Sequence, residues 1–303
     1  MSLERVQAMG ILVEPEAAVL IENGGEAAVN RVVDKLAGMP GKPLSLDKAM
    51  ARKLLLPDAK RVKRIEQNSQ QGIGDLVAAW GERFSIIQRL LMRRPELSTA
   101  VSIGSATGQC AVIGQVRMNG AKTELEDPTG AVELILPAQP TISQDQAVVM
   151  PDDVIGVVGR CEAGVLRADG IMWPDLPLRE MIKGQGKVMV GSNSPPGNGG
   201  GPVQDVDWRI EPAGTEWWEI GTMRLLIHRA DWAALAEKLK VKVNDVPVEM
   251  LKRRHLFRPP CDAIENAPDV LVAVGLDLSA ISYKGTRIVG SKEGVLIDLE
   301  VIR

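Results

Sequence analysis

The sequence is poor in the side chains that build metal centres and base-stacking surfaces. Its 303 residues include two histidines, His228 and His255, and three cysteines, Cys110, Cys161 and Cys261. The cysteines are far apart, odd in number and without metal-ligand spacing. That excludes a zinc ribbon or knuckle and a disulfide framework, and it fits a reduced, cytoplasmic setting. Aromatic residues make up only 3% of the chain, and no Phe, Tyr or Trp lies between Val101 and Ile171. Charge of one sign is also missing. The formal net charge is −3, so any nucleic-acid contact must come from a local patch. No apolar run is long enough to span a bilayer, and the charged amino terminus lacks the apolar core of a signal peptide, so no membrane partner is expected. There is no G-x-x-x-x-G-K-S/T loop and no G-x-S-x-G elbow, and the glycine run at 197–201 has no Lys or helix after it. No cofactor is expected.

The segment 111–177 is the most regular. Short strands are expected at 111–117, a Val/Ile run broken by Gly114, and at 122–125, 131–136, 154–160 and 164–172, with turn residues between them. Asn119-Gly120 predicts a tight hairpin with both residues at positive φ. Asp127-Pro128-Thr129-Gly130 predicts a second turn, with Pro presetting φ and Gly left-handed. Five short strands with glycines at their corners fit a small Greek-key barrel of the OB type.

Before the barrel, 1–64 reads as a helical module followed by a basic linker. Its apolar residues recur at helical spacing, with breaks at Gly24-Gly25 and at Gly38 and Pro40. Seven basic side chains lie between Lys48 and Arg64, and Lys60, Arg61, Lys63 and Arg64 are candidate partner or DNA contacts, although such a run also suits a plain solvated face. Residues 70–98 hold one amphipathic helix with Leu76, Trp80, Phe84, Ile87, Leu90 and Leu91 on its apolar face, ended by Pro95. The barrel is assigned 99–180. The stretch 185–205, KVMVGSNSPPGNGGGP at its centre, is expected to be a loop. In 206–303, strands are expected at 223–227, 270–274, 283–289 and 294–299, with a helix capped by Asp231.

Several strings carry a resemblance. Val112-Ile113-Gly114-Gln115-Val116, Leu125-Glu126-Asp127-Pro128-Thr129-Gly130, Asp153-Val154-Ile155-Gly156 and Trp173-Pro174-Asp175-Leu176-Pro177 resemble the OB domain of the small subunit of archaeal D-family DNA polymerase. Leu225-Leu226-Ile227-His228, Lys252-Arg253-Arg254-His255-Leu256 and Pro268-Asp269-Val270-Leu271 resemble its carboxy-terminal half. The resemblance implies an α+β multidomain chain: a helical module, a five-stranded OB barrel and a truncated calcineurin-like phosphoesterase α/β domain.

That family's phosphoesterase domain holds two metals and acts as a 3′–5′ exonuclease, through an Asp-x-His, a Gly-Asp, a Gly-Asn-His-Asp, a lone His and a Gly-His-x-His. Here Gly-His-x-His falls on Gly275-Leu276-Asp277-Leu278, with leucine at both histidine positions. Asn198, Gly199 and Gly200 stand where Asn-His-Asp is expected, Gly-Asp has no counterpart, and only His228 aligns with a ligand. One histidine cannot hold a dinuclear site. The resemblance therefore implies a non-catalytic accessory subunit with an inactivated nuclease domain. Its partner would be the large catalytic subunit, with DNA reached through the complex. Lys252, Arg253, Arg254, His255, Trp217 and Trp218 are further candidate contacts, with core packing the alternative for the tryptophans. Two other readings stay open: a free-standing OB protein that binds single-stranded DNA, and a residual metal-dependent nuclease resting on His228.

Overall fold

In the computed structural model, residues 3–65, 72–136, 148–191, 206–257 and 262–300 are described. The chain opens with α1 (Glu4–Gln7), β1 (Leu12–Val13), α2 (Pro15–Asn23), α3 (Gly25–Ala37), β2 (Ser45–Leu46) and α4 (Lys48–Leu55). Pro15 starts α2 where no N–H is needed, and Asp47 caps α4 by accepting from the Met50 N–H at 2.7 Å. The inward faces close one core on Ile21, Val29, Val32, Leu36, Leu46 and Leu54.

The next strand, β3 (Ala59–Ile65), corrects the expectation of a basic linker. It is the edge strand of a sheet whose other members lie more than 140 residues later, pairing antiparallel with β11 (Thr215–Ile220). A run that is mostly charged lacks strand alternation, and the partner that makes it a strand is remote in sequence.

After α5 (Ile73–Leu91) come β4 (Gly108–Asn119), β5 (Lys122–Asp127), β6 (Gly130–Ile135), β7 (Val154–Glu162) and β8 (Val165–Met172), closed into a barrel in the order β4-β5-β6-β8-β7. The inward side chains include Val112, Val116, Leu125, Val132, Leu134, Ile155, Val157 and Leu166. Two turns differ from expectation in detail. Asn119 pairs with Lys122, so the hairpin loop is Gly120-Ala121 with Gly120 first at φ +62°, the type II′ pattern rather than a positive-φ Asn-Gly pair. At the second turn Gly130 is not left-handed. The turn is held by the Asp127 carboxylate, which accepts from the N–H of Thr129 (2.8 Å) and Gly130 (3.2 Å) and from the Thr129 hydroxyl (2.6 Å). α5 packs Phe84, Ile87 and Leu91 on the outside of the barrel, against Ala111, Ile113 and Val154.

The carboxy-terminal unit contains β9 (Lys187–Gly191), β10 (Trp208–Ile210), β11, β12 (Met223–Arg229), α6 (Trp232–Leu239), α7 (Val246–Arg253), β13 (His255–Leu256), β14 (Asp262–Ala263), β15 (Val270–Val274), β16 (Leu278–Tyr283), β17 (Thr286–Ser291) and β18 (Gly294–Asp298). The six-stranded sheet runs β16-β17-β15-β12-β11-β3, with β12, β15 and β17 mutually parallel. A parallel pair needs a crossover, and α6 and α7 provide it between β12 and β15. They cover one face, while the three-stranded sheet β10-β9-β18 covers the other.

The stretch 185–205 is not all loop. Val188, Met189 and Val190 are buried in β9, the central strand of that small sheet. The segment expected as one strand at 283–289 is a hairpin turning at Lys284-Gly285, both at positive φ. Among the described residues no helix is long and apolar enough to cross a membrane.

Candidate functional site

The parallel strands β12 and β15 fix what lies at the predicted metal position. Their register sets His228 beside Ala273, and β15 then runs into Gly275, at φ +89°, and Leu276. His228 is fully buried. Its Nδ1 lies 2.9 Å from the Thr215 hydroxyl, and its ring meets Trp232 edge-on at 5.5 Å. The Trp232 indole N–H in turn donates to the Val274 carbonyl at 2.9 Å. Leu276 and Leu278 are buried in the same apolar cluster as Trp232, whereas Asp277 is exposed. Hydrocarbon and a hydrogen-bonded imidazole occupy this place. Among the described residues, no three His, Cys, Asp or Glu side chains converge as a metal site. The described residues alone therefore offer no donor set for a dinuclear centre, which needs several anionic or imidazole ligands at once. Asn198, Gly199 and Gly200 lie outside the described residues.

The basic string Lys252, Arg253, Arg254 and His255 is not a surface. All four are buried at the end of α7, packed against the barrel. Arg253 pairs with the buried Asp153 carboxylate at the start of β7. It also reaches Glu249 at 3.1 Å and the Val148 carbonyl at 2.8 Å, and lies over the Trp173 ring at 4.3 Å. Lys252 sits 3.6 Å from the same Glu249. Arg254 closes the helix at φ +50° and donates to four carbonyls: Pro174 (2.6 Å), Asp175 (3.2 Å), Ile264 (3.0 Å) and Glu265 (2.7 Å). Burial lowers its pKa to about 10, against the pull of Asp175. Asp175 also accepts from the Tyr283 hydroxyl at 2.9 Å and from Lys284 at 2.6 Å. The strings Trp173-Pro174-Asp175 and Lys252–His255 thus meet each other and join the barrel to the carboxy-terminal unit.

Two groups in this joint have strongly perturbed titration. Burial raises the Asp153 carboxyl above its ordinary value, outweighing Arg253 and Arg83. Burial, then Arg83 and Arg253, drives the His255 imidazole well below its ordinary value, so it stays neutral. Neither His255 nitrogen has a hydrogen-bond partner among the described residues, and the ring stacks at 4.5 Å on Phe257. Perturbed groups often mark active sites. Here they sit in a closed interface, where the same burial has a structural cause.

The other candidates fall at the β3 edge. Glu216, buried on β11, accepts from Arg64 at 3.0 Å, with Arg61 at 3.8 Å and the Trp218 indole N–H at 3.0 Å on its second oxygen. Lys63 pairs with Asp262, and Lys60 is exposed opposite Glu219. Trp217 and Trp218 are half-buried and line a recess of about 270 Å³ with Val62, Lys63 and Ile86. The solvent edge of β3 therefore offers Lys60, Arg61 and Lys63, while Arg64 is held inward.

Sequence reasoning missed Asp153, Arg83 and Glu249 as the counterparts of the basic string. It also missed that only half of the apolar face of α5 is covered. Asp153 directly precedes the β7 run, and the second of two adjacent carboxylates leading into apolar residues was the available signal.

No family model matches the chain. Three curated relatives are similar to it, each named DNA polymerase II small subunit. The protein of Methanothermobacter thermautotrophicus is 29% identical over 115 residues, which is 35% of this chain and 24% of that one. That of Pyrococcus abyssi is 32% identical over 107 residues, 32% of this chain and 17% of its own. That of Archaeoglobus fulgidus is 22% identical over 202 residues, 56% of this chain and 41% of its own. The matched part thus spans less than half the length of each relative. Over a third to just over half of its own residues, the chain is similar to DNA polymerase II small subunits.

Proposed function

We propose that this chain is a non-catalytic accessory subunit of a D-family DNA polymerase, a scaffold that binds the large catalytic subunit and meets DNA through the complex. The barrel is then an OB domain, a reading its closed order β4-β5-β6-β8-β7 supports, and the carboxy-terminal unit is a phosphoesterase-like domain without its nuclease activity. One observation carries the proposal. Where paired metals would sit, Leu276 and Leu278 pack in core and the His228 ring is turned to Thr215. A scaffold survives the loss of ligands because it needs surface complementarity and a fixed shape, and the buried Arg253–Asp153 joint supplies the second.

Co-expression with a DNA polymerase II large subunit tests this. Co-purification near equal stoichiometry, with no 3′–5′ hydrolysis of labelled DNA by the isolated chain in Mn²⁺, is the expected result. Manganese-dependent hydrolysis that disappears in His228→Ala overturns it in favour of a nuclease. The free-standing single-strand binder is favoured by the exposed Lys60, Arg61 and Lys63, and opposed by a barrel without aromatic side chains to stack on bases. Steeply salt-dependent binding of oligonucleotide by the isolated chain would support it.

A further inference from the structure

The string Gly-x-Cys stands on two paired strands of the barrel, as Gly108-Gln109-Cys110 on β4 and Gly159-Arg160-Cys161 on β7. The antiparallel register sets Gly108 opposite Cys161 and Cys110 opposite Gly159. Residues that face each other, or that lie two apart on one strand, share a sheet face. The four positions therefore form one block, with cysteines at one pair of diagonal corners and glycines at the other. Both cysteines pack in the cluster that fills the barrel, at the end where β4 begins and β7 stops, with Cys161 buried and Cys110 half-buried. Neither glycine puts a side chain between the sulfurs, and a Cβ on Gly108 would meet no atom within 4 Å, so the space beside Cys161 is open. The Cys110 sulfur is near enough to Cys161 to feel both its thiolate charge and its backbone. Cysteine that only fills a core needs no glycine opposite it.

From this block we propose that Cys110 and Cys161 are a redox pair, two thiols that close into a reversible disulfide between β4 and β7 in the presence of a disulfide oxidant such as oxidised glutathione. The half-buried Cys110 is the point of entry. Its thiolate, formed by loss of a proton to water, displaces one glutathione thiolate and makes a mixed disulfide. The Cys161 thiolate then attacks the Cys110 sulfur, forms the Cys110–Cys161 bond and releases the second glutathione. The protein gives up two protons and two electrons, and one glutathione disulfide becomes two thiols. Burial, and after it the Cys161 charge, pushes the Cys110 thiol above its ordinary value, so closure is slow at neutral pH and quickens as pH rises. Diagonal neighbours stand farther apart than facing ones, so the bond must draw the strand ends together. Gly108, left-handed at φ +59° at the start of β4, is the point that gives. A disulfide held off its relaxed spacing is readily reduced. The pair therefore stands open as a dithiol in reducing surroundings and closes under oxidation. None of this depends on the accessory-subunit reading.

The test treats the full, reduced chain with excess oxidised glutathione and maps its cysteines by peptide mass spectrometry without reduction. Thermal unfolding followed by circular dichroism checks that the treated chain is still folded. The expected result is a Cys110–Cys161 linked peptide, formed about tenfold faster at about pH 8 than at about pH 7 and opened again by dithiothreitol, with a cooperative melting transition kept throughout. Cys161→Ser should stop at the mixed disulfide, with glutathione held on Cys110, and Cys261→Ser should leave the linked peptide unchanged. The unsubstituted chain is the primary readout, so the result does not hang on a variant that folds poorly. Glutathione left on Cys110 of the unsubstituted chain, or a link from either cysteine to Cys261 instead, overturns the pair. A linked peptide that forms only after unfolding in urea, or one that forms only with loss of the melting transition, overturns it as well.

Discussion

Replacing Arg253 by Met removes the cation from the joint between barrel and carboxy-terminal unit while keeping most of its volume. Asp153 is then left about as buried as before, at 1% exposure, with the Met150 N–H at 2.7 Å as its remaining donor among the described residues and Oδ1 without one there. Breaking a buried pair by removing one partner costs about 3–5 kcal/mol, because the stranded charge loses its compensation. The Val148 carbonyl loses its donor as well, worth about 1 kcal/mol more. The contact over Trp173 is partly kept by the Met thioether. The expected loss is therefore about 4 kcal/mol, read as a fall in urea midpoint at constant slope. The double variant Asp153→Leu/Arg253→Met removes both charges, and it should recover most of that loss, since an apolar pair of similar volume is often neutral. Unfolding followed by tryptophan fluorescence and by far-ultraviolet circular dichroism gives both numbers. A single Arg253→Met loss under about 1 kcal/mol, or no recovery in the double variant, would refute the assignment of this pair as the joint's main electrostatic contact.

Arg254→Lys should lose about 2–3 kcal/mol, because one ammonium cannot reach the four carbonyls that the planar guanidinium spans; thermal unfolding measures it. His255 is neutral in the fold, with its pKa held below 6.5, so its contribution is fully present above that value and is lost as pH falls below it. Relative to His255→Phe, the parent chain should lose about 1.4 kcal/mol of stability at about pH 5.5, one unit below the ordinary value. Under the proposed reading, placing one histidine back by Leu276→His should destabilise by about 2–4 kcal/mol without conferring Mn²⁺-dependent hydrolysis, since the new imidazole would enter the Trp232 core. Gly159→Ala should lower the melting temperature sharply, by the equivalent of about 2–3 kcal/mol, because a Cβ there would stand 2.1 Å from the Arg167 carbonyl oxygen, a backbone atom with no room to move.

The barrel strands were legible from local pattern, as continuous apolar runs in β4 and β7 and as alternation against solvent in β6. Val132 and Leu134 turn inward while Glu133 faces out, and no distant residue is needed to see that. Helix α6 was legible for a similar local reason, an Asp231 cap three residues before the Ala234 N–H that it accepts from. What failed was non-local. β3 is a strand only because β11 pairs with it, and Lys60 to Arg64 gave no periodicity to announce that partner. β9 was hidden by the Gly/Pro-rich sequence that follows it, although Val188 and Val190 alone seed a buried strand. The basic string read as a surface because charge is normally solvated. Its burial depends on Asp153, about 100 positions earlier, and on backbone carbonyls that no composition reveals.

That buried string bears on what the molecule can do for a partner. A docking surface assembled from several elements recognises a partner only if those elements hold their spacing. Here α5 sits on the barrel, and β3 belongs to the carboxy-terminal sheet. Any partner that engages both reads the relative position of two units. Apolar contact alone would leave that position adjustable, because hydrophobic packing has little directional preference. Arg254 removes the freedom by binding carbonyls of the barrel's exit segment and of the 264–265 segment with one planar group. Arg253 adds a second fixed point at Asp153. The directional bonds therefore sit where a scaffold needs them, between the units, and the former ligand positions, freed from metal chemistry under the proposed reading, carry the leucines that pack the sheet from within.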